Sequence, residues 1–191
     1  MTDSPLDRRA FFSRGLRQVL GHAVDTVSKR VARGQYVRPP GALPEAAFLA
    51  ACTRCGECER ACPVHAIRPL PTEHGLAAGT PALDVNATAC VMCTDMPCAA
   101  VCPTDALEVP ADMWASVRMS TIAIDTERCI AYRDVQCGVC AHVCPVGATA
   151  LAVDARGRPV LGDACTGCGA CINSCVTSPS SISASPLGGS Q

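Results

Sequence analysis

Sixteen cysteines stand in four groups of four, and no cysteine falls outside them. The groups are Cys52, Cys55, Cys58 and Cys62; Cys90, Cys93, Cys98 and Cys102; Cys129, Cys137, Cys140 and Cys144; and Cys165, Cys168, Cys171 and Cys175. The first and last read C-x2-C-x2-C-x3-C, while the middle two lengthen an earlier gap and keep the closing C-x3-C. Pro63, Pro103 and Pro145 directly follow the first three groups. That run is ligand spacing for a cubane [4Fe–4S] cluster, whose iron corners each take one thiolate. Four complete sets predict four [4Fe–4S] clusters, with all sixteen cysteines as ligands. Electron transfer is therefore the leading function.

Three cysteines two residues apart, on a loop that wraps a cluster, can reach three corners. Gly56, Gly138, Gly167 and Gly169 let backbone amides approach the sulfurs. The fourth cysteine is expected to open a short helix, with the proline in its first turn. It should point away from its own triplet and ligate a neighbouring cluster. A disulfide framework is the weaker reading, because it belongs to small secreted domains. Zinc is weaker too, since its ribbons pair two separated C-x2-C knuckles.

Length allows one or two domains. With one Trp, two Tyr and three Phe in 191 residues, the chain is poor in aromatics for an ordinary core. Clusters can take their place, because ligation and folding are coupled. The formal charge is −1 with thiols neutral. Each cubane with four thiolates carries −2, which brings the loaded protein to about −9. Beyond residue 38, eight Lys/Arg face fourteen Asp/Glu, which argues against nucleic acid as a partner.

The cysteine groups sit in a repeat. Short β-prone runs precede the later groups at residues 82–85, 121–125 and 159–161. Apolar stretches follow the groups at 66–67, 106–109, 148–153 and 181–182. The unit reads strand, cluster loop, short helix, strand, and pairs of units make ferredoxin-like modules. The expected fold is α+β, with tandem modules over residues 39–183. Pro69, Pro71, Gly75 and Gly79 mark a loop between the first two units, and residues 154–159 a hairpin turn between the last two. Residues 184–191, rich in Ser, Gly and Pro, are expected to be a disordered tail.

Residues 1–38 are set apart by eight Lys/Arg against three acids. Ser4, Pro5 and Asp7 form a helix start. Phe12, Leu16, Val19, Leu20, Ala23, Val24, Val27 and Val31 then follow a helical period. A basic amphipathic helix from about Pro5 to Arg33 is expected, lying on a membrane, on a partner, or on the cluster domain itself. Arg8-Arg9 resembles a twin-arginine export signal. However, Gln18, His22, Asp25, Ser28 and Lys29 interrupt the apolar stretch, and no A-x-A site follows. No run approaches the ~20 apolar residues of a membrane span. The expected location is the cytoplasm, with peripheral membrane contact through residues 5–33; periplasmic export is the alternative.

With the four groups in place, the chain resembles the NapG/MauM family of ferredoxin-type proteins and its shorter relative NapF. Residues 38–45 (RPPGALPE), 90–98 (CVMCTDMPC), 129–132 (CIAY) and 165–168 (CTGC) carry the resemblance. It implies a relay of electrons between a quinol-linked or other donor and a terminal oxidoreductase. NapF implies the alternative, a cytoplasmic assembly or maturation factor for a molybdenum-dependent reductase. Resemblance to four-cluster subunits of molybdoenzymes implies nested pairing. Cys175 would then complete the first triplet and Cys62 the Cys165 triplet, while Cys144 would join the Cys90 triplet and Cys102 the Cys129 triplet. Sequential pairing fits the spacings equally well.

No phosphate loop, nucleophile–base constellation or flavin fingerprint is present. The chain is therefore expected to be an electron carrier or accessory subunit and not an enzyme. His22, His65, His74 and His142 are read as solvated or hydrogen-bonded, and Trp114 and Tyr132 as packing beside the clusters.

Overall fold

The computed structural model describes residues 36–187. The expected helix over residues 5–33 and positions 188–191 lie outside them. The helices are short: α1 (Glu45–Ala51), α2 (Glu57–Ala61), α3 (Pro97–Ala100), α4 (Val139–His142) and α5 (Ala170–Asn173). One or two turns cannot stand alone, because helix nucleation outweighs so few hydrogen bonds. Tertiary anchoring must hold them. The third cysteine of each group supplies part of it, since Cys58, Cys98, Cys140 and Cys171 are each buried within one of α2 to α5.

Each fourth cysteine follows a helix instead of opening one, contrary to the sequence expectation: Cys102, Cys144 and Cys175 each lie one residue past the cap. Cys62 is the C-cap of α2, with φ −75 and ψ 113. The following proline disfavours helical backbone at the residue before it. The chain therefore leaves the helix at the cysteine, which frees the thiol to point elsewhere.

Strands β1 (Ile67–Pro69), β2 (Pro81–Leu83), β3 (Ser120–Ile124), β4 (Leu151–Val153), β5 (Pro159–Leu161) and β6 (Ile182–Pro186), with 3-10 segments at Thr72–Ala77 and Ile130–Arg133, complete the described elements. They fall where the apolar runs placed them. All pair antiparallel, as β1 with β2, β4 with β5 and β3 with β6. The β4–β5 turn closes on Asp154, whose carboxylate accepts the N–H groups of Arg156 and Arg158. β6 corrects the tail expectation. Ala184 to Pro186 continue the strand opposite Ile122 to Ser120, so the fold holds the chain beyond residue 183.

This pairing makes two modules of one plan. In the second, β3 and β6 flank the last two cysteine groups and the β4–β5 hairpin lies between those groups. In the first, the Ala42–Leu107 bridge takes the place of β3–β6, and β1–β2 takes the place of β4–β5. Phe48, Ile67, Val85, Met96 and Leu107 anchor the first core, which extends to Cys168 of the second module. Ile122, Leu151, Ile172 and Ile182 form the second core.

Candidate metal centres

Each cysteine loop turns left-handed just before its second cysteine, except in the third group. Arg54 (φ 60), Met92 (φ 52) and Gly167 (φ 74) hold this position in the other three. The turn folds the loop back so that its thiols face one cavity. Gly167 suits it without strain, and a Cβ there would strike the Ser120 carbonyl. Arg54 and Met92 carry the strain of a side chain in this region.

The triplets are completed across the module. Cys52, Cys55, Cys58 and Cys102 line one cavity, here site I. Cys90, Cys93, Cys98 and Cys62 line another, site II. Cys62 beside the second triplet overturns the nested pairing. The physical reason is the antiparallel closure within each module, which packs α2 against α3 and α4 against α5. In the second module the Cys165, Cys168, Cys171 and Cys144 thiols crowd one another, making site III. Cys129, Cys137 and Cys140 group likewise. Cys175 lies against Ser181, whose carbonyl accepts the N–H of Asp125 just ahead of Cys129. We label Cys129, Cys137, Cys140 and Cys175 site IV.

Burial, reinforced by neighbouring thiols, pushes Cys98 and Cys171 up to about 12, and Cys58 and Cys90 up to about 11. On binding a metal centre, thiols so placed would release their protons to solvent, and the metal's positive charge would take their place. Cys175 differs. Burial raises Cys175 too, but hydrogen bonds from Ser181 and Thr177 outweigh it and hold the thiol at about 6. Those hydroxyls lie 3.3 and 3.2 Å from the sulfur. Cys62 Sγ accepts the Ala66 N–H at 3.3 Å. The donor set is entirely sulfur, with backbone amides and hydroxyls aimed at it, and this fits an iron–sulfur cluster. Among the described residues, no three His, Cys, Asp or Glu side chains are placed to hold a single metal ion.

The sites follow one another through the molecule. Sites I and II meet where Cys58, Cys62 and Cys98 approach. Sites II and III meet where the Cys90 N–H donates to the Cys168 carbonyl at 2.8 Å. Sites III and IV meet at Cys140, Cys144 and Cys171.

Other candidates take supporting places. Trp114 donates its indole N–H to the Cys93 carbonyl at 3.0 Å. Tyr132 donates to the Pro159 carbonyl at 3.3 Å beneath the Arg158 guanidinium. His74 meets the Tyr36 hydroxyl at 3.1 Å, while His65 and His142 are exposed. The sequence reading gave Arg38 no role. The structure buries it with Glu45 at 2.6 and 2.9 Å, and its other donors reach Thr80 Oγ1 and the Pro81 carbonyl. Its face covers Phe48, whose ring also lines site I. The R-P-P-G run just ahead of the first module was the available signal.

Two family models, each described as a 4Fe-4S dicluster domain, match residues 51–106 and 121–176. Each match falls within one module and spans both of its cysteine groups. Over 173 residues the chain is 39% identical to the methylamine utilization ferredoxin-type protein MauM of Methylorubrum extorquens, covering 85% of this chain and 77% of that protein. It is 38% identical to the ferredoxin-type protein NapG of Escherichia coli over 168 residues, which is 82% of this chain and 73% of the relative. The ferredoxin-type protein NapF of Escherichia coli is 33% identical over 145 residues, 74% of this chain and 81% of the relative. No solved structure matches.

Proposed function

The chain belongs to the NapG/MauM family of ferredoxin-type iron–sulfur proteins, and on that premise we propose that it is a four-cluster electron relay. Sites I to IV each take one [4Fe–4S] cluster, held by the sixteen cysteines in sequential pairs. A cluster so held supplies a one-electron couple whose potential depends on burial and on hydrogen bonds to sulfur. The chain's own residues set both. Ser181 and Thr177 donate toward Cys175, Ala66 toward Cys62, and the apolar cores keep water from the inner sites. The head-to-tail order of the four sites, joined at Cys90 and Cys168, carries this reading. The donor is quinol-linked or another reductant, and the acceptor is a partner oxidoreductase.

Anaerobic purification tests it. The protein should be brown and hold about sixteen iron and sixteen sulfide per chain. Dithionite should give spin-coupled EPR signals, and a quinol-linked donor should reduce the chain rapidly. Stoichiometric zinc without visible absorption would end the proposal.

The resemblance to NapF, a ferredoxin-type protein 33% identical over 145 residues, carries a second reading that we propose as the alternative: a maturation factor for a molybdenum-dependent reductase. Recovery of only immature apo-reductase in a pull-down, with no rapid electron exchange, would select it. For location we propose the cytoplasm, with residues 5–33 on the membrane surface. Fractionation with N-terminal sequencing decides this, because a periplasmic product shortened at its N-terminus would indicate export.

A further inference from the structure

The left-handed position before the second cysteine can be filled by glycine, as Gly167 shows. A large side chain there is strained, and such strain points to a use for the side chain. Arg54 has one. It reaches across site I to the strap between β1 and β2, which comprises a 3-10 segment, Thr72–Ala77, kinked at Gly75, and then Ala78. Arg54 Nε donates to the Ala78 carbonyl and Nη2 to the Leu76 carbonyl, both at 2.9 Å, while Nη1 reaches the Cys52 carbonyl at 3.4 Å. A Cβ on Gly79 would sit 3.3 Å from Arg54 Cδ, so the strap lies directly on the arginine stem. Arg54 and Gly79 both line the site I cavity. The strap buries only Ala77, and Leu76 is 74% exposed.

Cys55, next in sequence, is the exposed member of the sixteen cysteines. Site I stands at one end of the row, so its exposed edge is the short path between the row and the outside.

We propose that Arg54 is a positioning residue for the outermost site: its three-carbonyl grip latches the Thr72–Ala78 strap beside site I, leaving Cys55 as the edge through which electrons cross. This rests on the relay reading above. One electron passes per event, and whichever protein donates it is oxidised as site I is reduced. A guanidinium is required, because a single ammonium cannot span the Leu76 and Ala78 carbonyls together.

The test compares the purified, iron-loaded full chain with Arg54→Gln and Arg54→Lys, using Arg156→Gln, at an exposed arginine of the β4–β5 turn, as the control. Amide hydrogen exchange over residues 72–80 should rise about ten-fold or more in both Arg54 variants, as expected for the loss of two good hydrogen bonds. A ferrous chelator should remove one quarter of the iron about ten-fold faster, with the remainder lost at the wild-type rate. R156Q should behave as wild type. Unchanged strap exchange and unchanged chelation in R54Q would overturn the proposal. If R54Q fails to assemble, R54K carries the same comparison, and uniform loss of iron from all sites would overturn it. Wild-type protein that holds zinc would refute the relay reading, and the strap exchange would still report on the latch.

Discussion

Cys90 donates its backbone N–H to the Cys168 carbonyl at 2.8 Å, and this bond ties site II of the first module to site III of the second. Asn173 braces the junction, accepting the Ala89 N–H at 2.6 Å and donating to the Asn86 carbonyl at 3.2 Å. Asn86 in turn binds both backbone groups of Ala184 on β6. Two cysteine loops are thus joined through the side-chain amides of Asn86 and Asn173.

Asn173→Leu should loosen that junction without emptying the sites. Iron content should stay at the wild-type value. Spin coupling between sites II and III should weaken while coupling within each module persists, as read by EPR on the reduced protein. Unaltered coupling would show that the Asn173 bonds do not set the spacing.

Sequential crossing makes a counting prediction. Cys62→Ser and Cys93→Ser each act on site II, so each alone should remove about four iron, and the two together still about four. Under nested crossing, the double variant would lose about eight. Iron analysis of the three proteins decides between them.

The Arg38–Glu45 pair is buried, with each side chain 9% exposed. Glu45→Ala leaves a desolvated guanidinium above Phe48 and should cost about 3–5 kcal/mol. Replacing both partners with apolar residues should recover much of this. The denaturant midpoint for loss of visible absorbance measures both.

Gly167→Ala should be far more damaging than Gly157→Ala. Both residues have positive φ, but a Cβ at Gly157 meets open space, whereas one at Gly167 strikes Ser120. The Gly157 change should cost about 1–2 kcal/mol from backbone strain alone. The Gly167 change should in addition break the Ser120 Oγ–Gly167 carbonyl bond at 2.8 Å and disturb β3. Thermal loss of the cluster absorbance ranks them.

Ser181→Ala removes one hydroxyl from Cys175. A hydrogen bond to sulfur favours the more negative, reduced state, so its removal should lower the potential of site IV. The expected shift is roughly 20–60 mV for a one-electron couple. Redox titration followed by EPR should show one centre moving and three unmoved.

Much was legible before any tertiary contact was known. The four groups follow from spacing alone, because three cysteines a turn apart are a local device that needs no distant residue. The strands were legible too, since alternation and β-branched runs mark residues 121–125 and 159–161. A helix start at the fourth cysteine was not to be had from the sequence, because the proline that suits a first turn also drives the cysteine before it out of helical backbone, as at Cys62. Residues 184–186 read as tail from composition alone, because Ser and Pro say nothing of the partner strand at Ser120 to Ile122.

What the sequence by itself determined is the ligand inventory and the repeat, both set by short-range geometry. Only the tertiary structure decided which triplet each fourth cysteine completes, how the sites line up, and what Arg38 and Arg54 hold. A C-x3-C end aims a thiol out of its loop without naming a destination. The destination came from antiparallel closure over tens of residues, by β3–β6 in one module and the Ala42–Leu107 bridge in the other, which packs each pair of short helices together.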